Sequence, residues 1–328
     1  MNPNTNITIL VTGIGGNVGQ GILRIIRSTY KHVKIVGVNI DSISAGNCWV
    51  DSFYQVPFAI ENTRYIKVIK EISSNEKVDL IIPSTDYEAY YLSLYKDSFD
   101  CKIAVNDSAI TKMCLDKYET AIHLEKYCIP FSKSYLPSEY NNQFKKMIAK
   151  PRKGRGSRGL LINYKDYSLL DDNEYLIQEM HEGIELTTAV YVSYNSKQLI
   201  GFINLERKLE NGLTVQCEVN NRYNDNMGTL LGTLLSKYPF VGAFNMQSIV
   251  DENNCIHPFE INCRISGTNS IRHNLGFKDV QYTIDELLFE KTISKPLITN
   301  GFAIRYIADF IYPNGVSKNN NNDNYTLF

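Results

Sequence analysis

Short apolar runs alternate with amphipathic segments over the first part of the chain. Runs of four to six apolar residues bounded by turn signals are typical of buried strands, and apolar positions three and four apart are typical of helices. The strand-like runs are NITILV, KIVGVN, FYQVPF, DLIIPS and CKIAV; the helix-like segments are ILRIIRSTY, RYIKVIKEISSN and YEAYYLSLYKD. This alternation predicts an α/β fold with a doubly wound parallel sheet over residues 1–107.

The pattern changes beyond residue 107. The segment TKMCLDKYETAIHLEKYC predicts one helix that ends at Ile129–Pro130. Strand-like runs dominate afterwards, with a hairpin turn at residues 252–254 and a late helix in KDVQYTIDELLFEK. We predict an α+β domain over 108–328. Its predicted parts are a lid subdomain at about 131–182, a C-terminal subdomain at about 183–315 and a loose Asn-rich tail at 316–328.

Composition narrows the function classes. The 328 residues carry a net charge of −1, which gives no support to a nucleic-acid partner. No apolar run reaches the roughly 18 residues that a membrane span needs, so no membrane partner is expected. The seven cysteines are odd in number and form no CxxC pair, which predicts a reduced, cytoplasmic protein without a disulfide framework or zinc site.

A glycine-rich turn, VTGIGGNVGQG at residues 11–21, joins the first strand to the first helix. Its spacing approximates the dinucleotide fingerprint, and Asp41 follows the next strand where a ribose-binding carboxylate is expected. One hypothesis is therefore an NAD(P)-dependent short-chain oxidoreductase. That class needs a Tyr-x-x-x-Lys pair on a later helix, but Tyr30 and Lys34 fall too early. The other hypothesis, which we favour, is a tight turn at a substrate site, with Gly15 offering a backbone amide.

A basic loop follows a strand that ends in Lys150. The loop, residues 152–159, contains Gly154, Gly156 and Ser157 among four basic side chains. Glycines expose backbone N–H groups to an anion, and cations complement phosphate. The Gly-Lys-Ser/Thr of a Walker A loop is absent, so the sequence indicates a flap over phosphates; a solvated basic hairpin remains the alternative.

Oxygen-bearing side chains recur at alternate positions near the C-terminal end. Glu260, Asn262 and Arg264 alternate along one predicted strand, so they are expected on one face, with Gln247 facing them from the partner strand. Hard oxygen donors beside an arginine suit Mg²⁺ or Mn²⁺ bridging nucleotide phosphates. Cys263 is expected on the opposite face, buried and without a catalytic role.

Together and in this order, these segments resemble the ATP-grasp superfamily, and most closely its carbamoyl-phosphate synthetase large-subunit-like carboxylate–amine ligases. The resemblance covers nearly the whole chain. It implies a Rossmann-like pre-ATP-grasp domain over 1–107, followed by an ATP-grasp fold in which two α+β subdomains clasp ATP. It also implies Mg-ATP hydrolysed to ADP and phosphate, and small-molecule carboxylate and amine substrates.

The resemblance also implies roles for individual residues. Lys117 and Lys150 match the two ATP-contacting lysines, Glu179 and Met180 the adenine hinge, and Glu185 the ribose ligand. Gln247, Glu260 and Asn262 match the metal ligands, with Arg264 the phosphate-contacting arginine and Arg207 a further contact to phosphate or acyl phosphate. Two departures are Gln247, where many relatives have Glu, and Cys263, where related sequences have Pro.

The substrate is left open between an amino acid, a peptide and a sugar acid. Asp86 and Glu88 are candidates to hold an amine, although capping the next helix is the favoured role for both. Ser266 and Arg272 are candidates for the other wall, with Arg272 on a carboxylate. A homodimer and a non-catalytic ATP-binding module are also left open.

Overall fold

The computed structural model describes residues 7–154, 158–313, 315 and 326–327. A parallel sheet forms first, as predicted. Its strands are β1 (Ile7–Val11), β2 (Val33–Asn39), β3 (Ser52–Gln55), β4 (Leu80–Ile82) and β5 (Lys102–Ile103). In the described residues their spatial order is β3-β2-β1-β4-β5, so β1 is central and its apolar side chains are buried on both faces.

Helices cover both faces of this sheet. They are α1 (Asn17–Thr29), α2 (Asn62–Asn75) and α3 (Asp86–Leu94). The fully buried residues of α1 include Ile22, Leu23 and Ile26, which follow the helical period that the sequence predicts. Thr85 caps α3 and accepts a hydrogen bond from the Glu88 backbone, while the Glu88 carboxylate accepts one from the Thr85 backbone.

The helix predicted after residue 107 is in fact two helices, α4 (Ser108–Leu115) and α5 (Lys117–Glu125). Asp116 lies between them in an extended conformation, with φ −111° and ψ 115°. Its carboxylate accepts hydrogen bonds from the backbone of Tyr118 and Glu119 and from the Arg152 guanidinium. Capping and this ion pair together favour the break, and neither is visible in the hydrophobic period.

In the second part of the chain, the described residues form two antiparallel sheets of four and six strands, besides a short two-stranded pair. The smaller one holds β6 (Ser134–Tyr135), β7 (Met147–Pro151), β8 (Leu161–Ile162) and β9 (Tyr175–Glu179), in the order β6-β9-β7-β8. The larger one holds β10 (Ile184–Val192), β11 (Leu199–Glu210), β12 (Leu213–Val219), β13 (Gly242–Val250), β14 (Ile256–Asn262) and β15 (Phe302–Ile304), in the order β14-β13-β10-β11-β12-β15.

Helices α6 (Asn224–Lys237), α7 (Asn269–Asn274) and α8 (Asp279–Leu287) pack around the larger sheet. Helix α6 is not among the elements predicted above. A continuous apolar core joins β1 and α1 to β10, β11 and α8, so the parallel sheet and the larger antiparallel sheet share one interior. Cys263 is buried in a second core, as predicted.

The tail departs from its prediction at one point. Thr326–Leu327 (β17) pairs antiparallel with Phe310–Ile311 (β16), where no structure is assigned above. Apart from Gly315 and β17, the residues from 314 to 328 are not among those that the structure describes. Within the described residues, no helix is both long and apolar enough to cross a bilayer.

Candidate functional site

A cavity lies between the smaller and the larger antiparallel sheets. Lys117, Lys150 and Glu260 lie close together in its lining and are called its charged end; many of the other lining residues are apolar. Its lining residues are Lys117, Ser132, Ile148, Lys150, Pro151, Gly154, Arg158, Leu160, Gln178, Glu179, Met180, His181, Glu185, Leu209, Gln247, Ile249, Phe259 and Glu260. The cavity thus brings together the two predicted ATP lysines, the predicted hinge, Glu185, Gln247 and Glu260, which come from distant parts of the chain.

Lys117 reaches the charged end because of the break at Asp116. The break turns the start of α5 toward β7, where the Lys117 backbone N–H donates to the Arg152 carbonyl at 2.9 Å. The Lys117 ammonium donates to the Gly154 carbonyl at 3.1 Å and lies 3.8 Å from a Glu260 carboxylate oxygen. Arg152, which sequence reasoning assigns only to the basic loop, therefore helps to position a predicted ATP ligand.

Lys150 is buried beside the same carboxylate. Its ammonium donates to the Phe259 carbonyl at 3.1 Å and lies 5.2 Å from the centre of the Phe259 ring. The pKa of Lys150 is lowered to about 7, chiefly by burial; Glu260 opposes this shift and Lys117 adds to it. Burial alone would raise the pKa of Glu260, but Lys117 and Lys150 hold it below its usual range, so Glu260 is ionised.

The predicted metal ligands share one face of β13 and β14. Gln247 pairs with Glu260, and Asn245 with Asn262, across the antiparallel ladder. The Asn262 amide nitrogen donates to Glu260 at 2.9 Å, and the Gln247 amide nitrogen donates to the Asn262 oxygen at 3.1 Å. The sequence pattern is thus realised for these three side chains.

These donors fit Mg²⁺ in part. Among the described residues, no cluster of three His, Cys, Asp or Glu side chains could hold a metal ion, so Glu260 is the carboxylate of this set. One carboxylate with an amide oxygen suits Mg²⁺ that takes its other ligands from phosphates and water. Glu260 and Asn262 therefore fit, whereas the Gln247 oxygen accepts a hydrogen bond from the positively charged Arg207 guanidinium at 2.6 Å.

Arg207 and Glu185 form an ion pair beside this set. The Arg207 guanidinium donates twice to one Glu185 oxygen, at 3.0 and 2.6 Å. Glu185 lines the cavity, and one of its carboxylate oxygens is taken up by Arg207. Arg207 thus reaches the predicted site through Glu185 and Gln247.

The predicted hinge lies at the end of β9. The backbone N–H groups of Glu179 and Met180 donate to the carbonyls of Lys133 and Lys146, at 2.9 and 3.0 Å, and are not free for a base. The next residue, His181, lines the cavity and stacks on His257 with ring centres 3.7 Å apart. Burial, with His257, lowers the pKa of His181. Sequence reasoning missed this histidine pair because its members are 76 residues apart.

The basic loop borders the same cavity at Gly154 and Arg158. Gly156 and Ser157, both predicted to bind phosphate, lie outside the described residues.

A second, smaller cavity adjoins the charged end and shares Lys117, Gly154 and Glu260 with the first. Asp86 and Asn262 also line it. Arg264 does not share a strand face with Glu260 and Asn262 as predicted, because β14 ends at Asn262. Its guanidinium instead donates to Asp86 at 2.9 Å and bridges the first and second domains.

Four residues predicted to contact substrate are committed elsewhere. The Gly15 N–H donates to the Asn39 side chain at 3.2 Å, and Glu88 accepts from Thr12 and Thr85. Ser266 and Arg272 belong to one buried hydrogen-bond network. Their side chains bond to other protein groups and leave few donors or acceptors for a substrate.

Arg272 is 1% exposed and pairs with Asp279, which is equally buried. Its Nη1 group donates to the Ser266 and Thr268 hydroxyls, at 2.9 and 2.8 Å. The prediction that Arg272 holds a substrate carboxylate does not fit this placement. In sequence, a buried structural arginine looks the same as a ligand-binding one.

The glycine turn is filled by the chain itself. A Cβ on Gly15 would lie 2.9 Å from the Asn39 amide, and one on Gly19 would lie 2.6 Å from the Gly13 carbonyl oxygen. Tyr30, which the oxidoreductase hypothesis would need, donates its hydroxyl to Asp285 at 3.0 Å; burial raises its pKa. The glycines therefore allow close packing, and their positions do not favour a dinucleotide.

A parallel-sheet domain followed by two antiparallel sheets around a cavity with buried lysines and a carboxylate defines the class of nucleotide-clasping α/β proteins. Family models identify the class further. A PylC-like N-terminal domain matches residues 9–105, and an ATP-grasp domain matches residues 114–268. The chain therefore carries an ATP-grasp domain behind a PylC-like N-terminal domain, and the two models together match most of its length.

Solved structures share the fold at low identity. N5-carboxyaminoimidazole synthetase from Staphylococcus aureus with ADP is 15% identical, with a TM-score of 0.72 over 90% of this chain and 81% of that one. The Aspergillus clavatus carboxyaminoimidazole ribonucleotide synthase with ATP is 15% identical, with a TM-score of 0.71 over 98% and 93%.

The biotin carboxylase domain dimer of Hydrogenobacter thermophilus 2-oxoglutarate carboxylase, with MgADP and bicarbonate, is 13% identical. Its TM-score is 0.70 over 91% of this chain and 74% of that one. No curated protein matches the chain by sequence.

Proposed function

We propose that this chain binds Mg-ATP in the cavity between its antiparallel sheets and joins a carboxylate to an amine through an acyl phosphate. The observation that carries the proposal is the charged end of the cavity, where Lys117, Lys150 and ionised Glu260 meet. Two ammonium groups beside one carboxylate suit a nucleotide polyphosphate with its cation. The relatives crystallised with ATP or MgADP support this choice of nucleotide.

The proposed reaction has two steps. A substrate carboxylate oxygen attacks the γ-phosphorus, the bond to the β-phosphate oxygen breaks, and ADP leaves. The amine nitrogen then attacks the acyl carbon, phosphate leaves, and the amine loses a proton. No protein nucleophile is needed, so the side chains orient the reactants and offset charge.

Each residue has a role in that reaction. Lys117 and Lys150 would bind and neutralise phosphate oxygens, and Arg264, which donates to Asp86, would offset charge beside the smaller cavity. Glu260 and Asn262 would hold Mg²⁺, which when bound offsets charge on the phosphates. Residues 152–159, which border both cavities at Gly154, would exclude water that hydrolyses an acyl phosphate.

The adenine end is proposed to lie at residues 179–181. Because the N–H groups of Glu179 and Met180 are spent, their carbonyls and the His181 residue are left to face the base. The acceptor is proposed to bind in the smaller cavity beside Asp86, and its identity stays open between an amino acid, a peptide and a sugar acid.

ADP release with panels of carboxylates and amines tests the proposal. Release should need one member of each panel and should fall about 100-fold or more in Glu260→Gln, which removes the charge that faces both lysines. Glu210→Gln is the matched control, because Glu210 is an exposed residue of the larger sheet. ADP release undiminished in Glu260→Gln would refute the site. Binding of ATP without turnover on any panel would favour a non-catalytic module.

A further inference from the structure

A row of hydrogen bonds crosses the larger sheet beside the cavity. Arg207 on β11 donates to the Gln247 oxygen at 2.6 Å, Gln247 donates to Asn262 at 3.1 Å, and Asn262 donates to Glu260 at 2.9 Å. The row begins at a cation and ends at an anion, and two amide groups connect them.

The direction of the row is fixed at both ends. A guanidinium can only donate, and an ionised carboxylate can only accept. Each amide must therefore turn its oxygen toward Arg207 and its nitrogen toward Glu260. The reversed orientation would place the Gln247 NH₂ against the Arg207 guanidinium and the Asn262 oxygen against the Glu260 carboxylate. The amide orientations thus follow from the chemistry of the two ends.

This direction sets the Gln247 oxygen against a fixed positive charge. The Arg207 guanidinium is itself held by two hydrogen bonds to Glu185, with only 11% of its side chain exposed. A divalent cation at the Gln247 oxygen would stand beside this guanidinium, and the two positive charges would repel. The Asn262 oxygen and the Glu260 carboxylate keep lone pairs for a cation, because each accepts only part of its capacity in this row.

We propose that the Arg207 guanidinium, in place of a metal-ion contact, occupies the Gln247 corner of the site, so that Glu260 and Asn262 alone hold the divalent cation. The inference rests on the proposed function. Arg207 is a positioning residue: it fixes Gln247, which orients the Asn262 amide toward Glu260. The neutral Gln247 amide can accept from Arg207 without adding charge. A carboxylate at position 247 would instead be a third anion beside Glu185 and Glu260.

Manganese binding in the presence of ADP, followed by electron paramagnetic resonance of free Mn²⁺, tests this assignment. Gln247→Leu in the wild-type background should weaken Mn²⁺ binding by less than the roughly tenfold loss typical when a partner around a metal site is removed. Asn262→Leu and Glu260→Gln should each exceed that loss. Arg207→Met should tighten binding, because the repulsion disappears and the Gln247 oxygen is freed.

The double variant gives the decisive comparison. Adding Gln247→Leu to Arg207→Met should remove the part of the gain that comes from the freed Gln247 oxygen, so that losing Gln247 costs more Mn²⁺ affinity when Arg207 is absent than when it is present. Arg222→Met, on an exposed arginine that contacts Asn254, controls for loss of a positive charge. If a leucine variant does not fold, methionine at the same position replaces it.

Two outcomes would overturn the inference. Gln247→Leu weakening Mn²⁺ as much as Asn262→Leu would make Gln247 a ligand, and Arg207→Met weakening Mn²⁺ would deny the repulsion; in both, the proposed nucleotide site stands. No Mn²⁺ or ADP binding by the wild-type protein would instead refute the proposed function and, with it, the inference.

Discussion

The glycine turn at residues 11–21 and the cavity between the antiparallel sheets both suggest a nucleotide in the sequence, but the structure separates them. At the turn, the groups that could bind a ligand are used internally: Asn39 accepts from Gly15, and Glu88 accepts from Thr12. In the cavity, buried cations face open space beside one carboxylate. A motif defined by backbone geometry can serve packing alone, whereas buried charge without full pairing needs a ligand to justify its cost.

Breaking the buried Arg272–Asp279 pair should give the largest effect of all. Arg272→Met leaves the Asp279 carboxylate 1% exposed and unpaired, so the free energy of unfolding should fall by about 3–5 kcal/mol. Chemical denaturation measures this. Arg24→Met, an exposed arginine that contacts Ser270, is the control and should change little.

The same variant discriminates between the two roles of Arg272. If Arg272 only positions α7 and α8, the folded fraction should keep its KM for the acceptor. A large rise in KM with little loss of stability would restore the substrate role that the sequence suggests.

Removing the buried cavity lysine should give the next largest effect. Lys150→Met keeps length and apolar contact with Phe259 but removes the ammonium, so ADP formation should fall by about 100- to 1,000-fold. Lys208→Met, an exposed lysine on β11, is the matched control. Equal activity in the two variants would mean that the cavity, like the glycine turn, has no part in ADP formation.

Much of the fold and of the cavity's lining could be predicted from the sequence, and what could not be predicted has a physical cause. Strand period and order predict the parallel sheet, and alternation along β13 and β14 predicts that Gln247, Glu260 and Asn262 share a face. The break at Asp116 depends on Arg152, and the placement of Arg264 depends on Asp86, 178 positions away. Contacts between distant residues leave no local period, so neither could be read from the chain.

Arg272 illustrates a second limit. Its neighbours in sequence, a Ser-Gly-Thr-Asn loop, are typical of a ligand site. Whether its guanidinium meets a substrate or Asp279 depends on how α7 packs against α8, and composition does not encode that. The sequence therefore predicts a positive charge at this position, but it does not predict which group pairs with that charge.

A pair of glycine variants should test the turn by itself. A Cβ on Gly19 would lie 2.6 Å from the Gly13 carbonyl oxygen, so Gly19→Ala should lower the free energy of unfolding by about 1–3 kcal/mol. Gly16→Ala is the matched control, since its nearest non-neighbouring atom is 3.6 Å away, an ordinary contact. ATP affinity should be unchanged in both variants. A selective loss of NADH or ATP binding in Gly19→Ala would assign the turn a ligand after all.

The smallest expected effect concerns the proton on Lys150. With a pKa of about 7 in the free protein, Lys150 is mostly neutral at pH 8, and nearby phosphate oxygens raise its pKa when ATP binds. Binding at pH 8 should therefore take up close to one proton, and affinity should fall by up to about tenfold per pH unit above 7. Calorimetry in two buffers of different ionisation enthalpy measures the uptake, and Lys150→Met should remove the part due to this group. Uptake that persists in the variant would come from the phosphates or from His181, and the lysine would then be charged before ATP arrives.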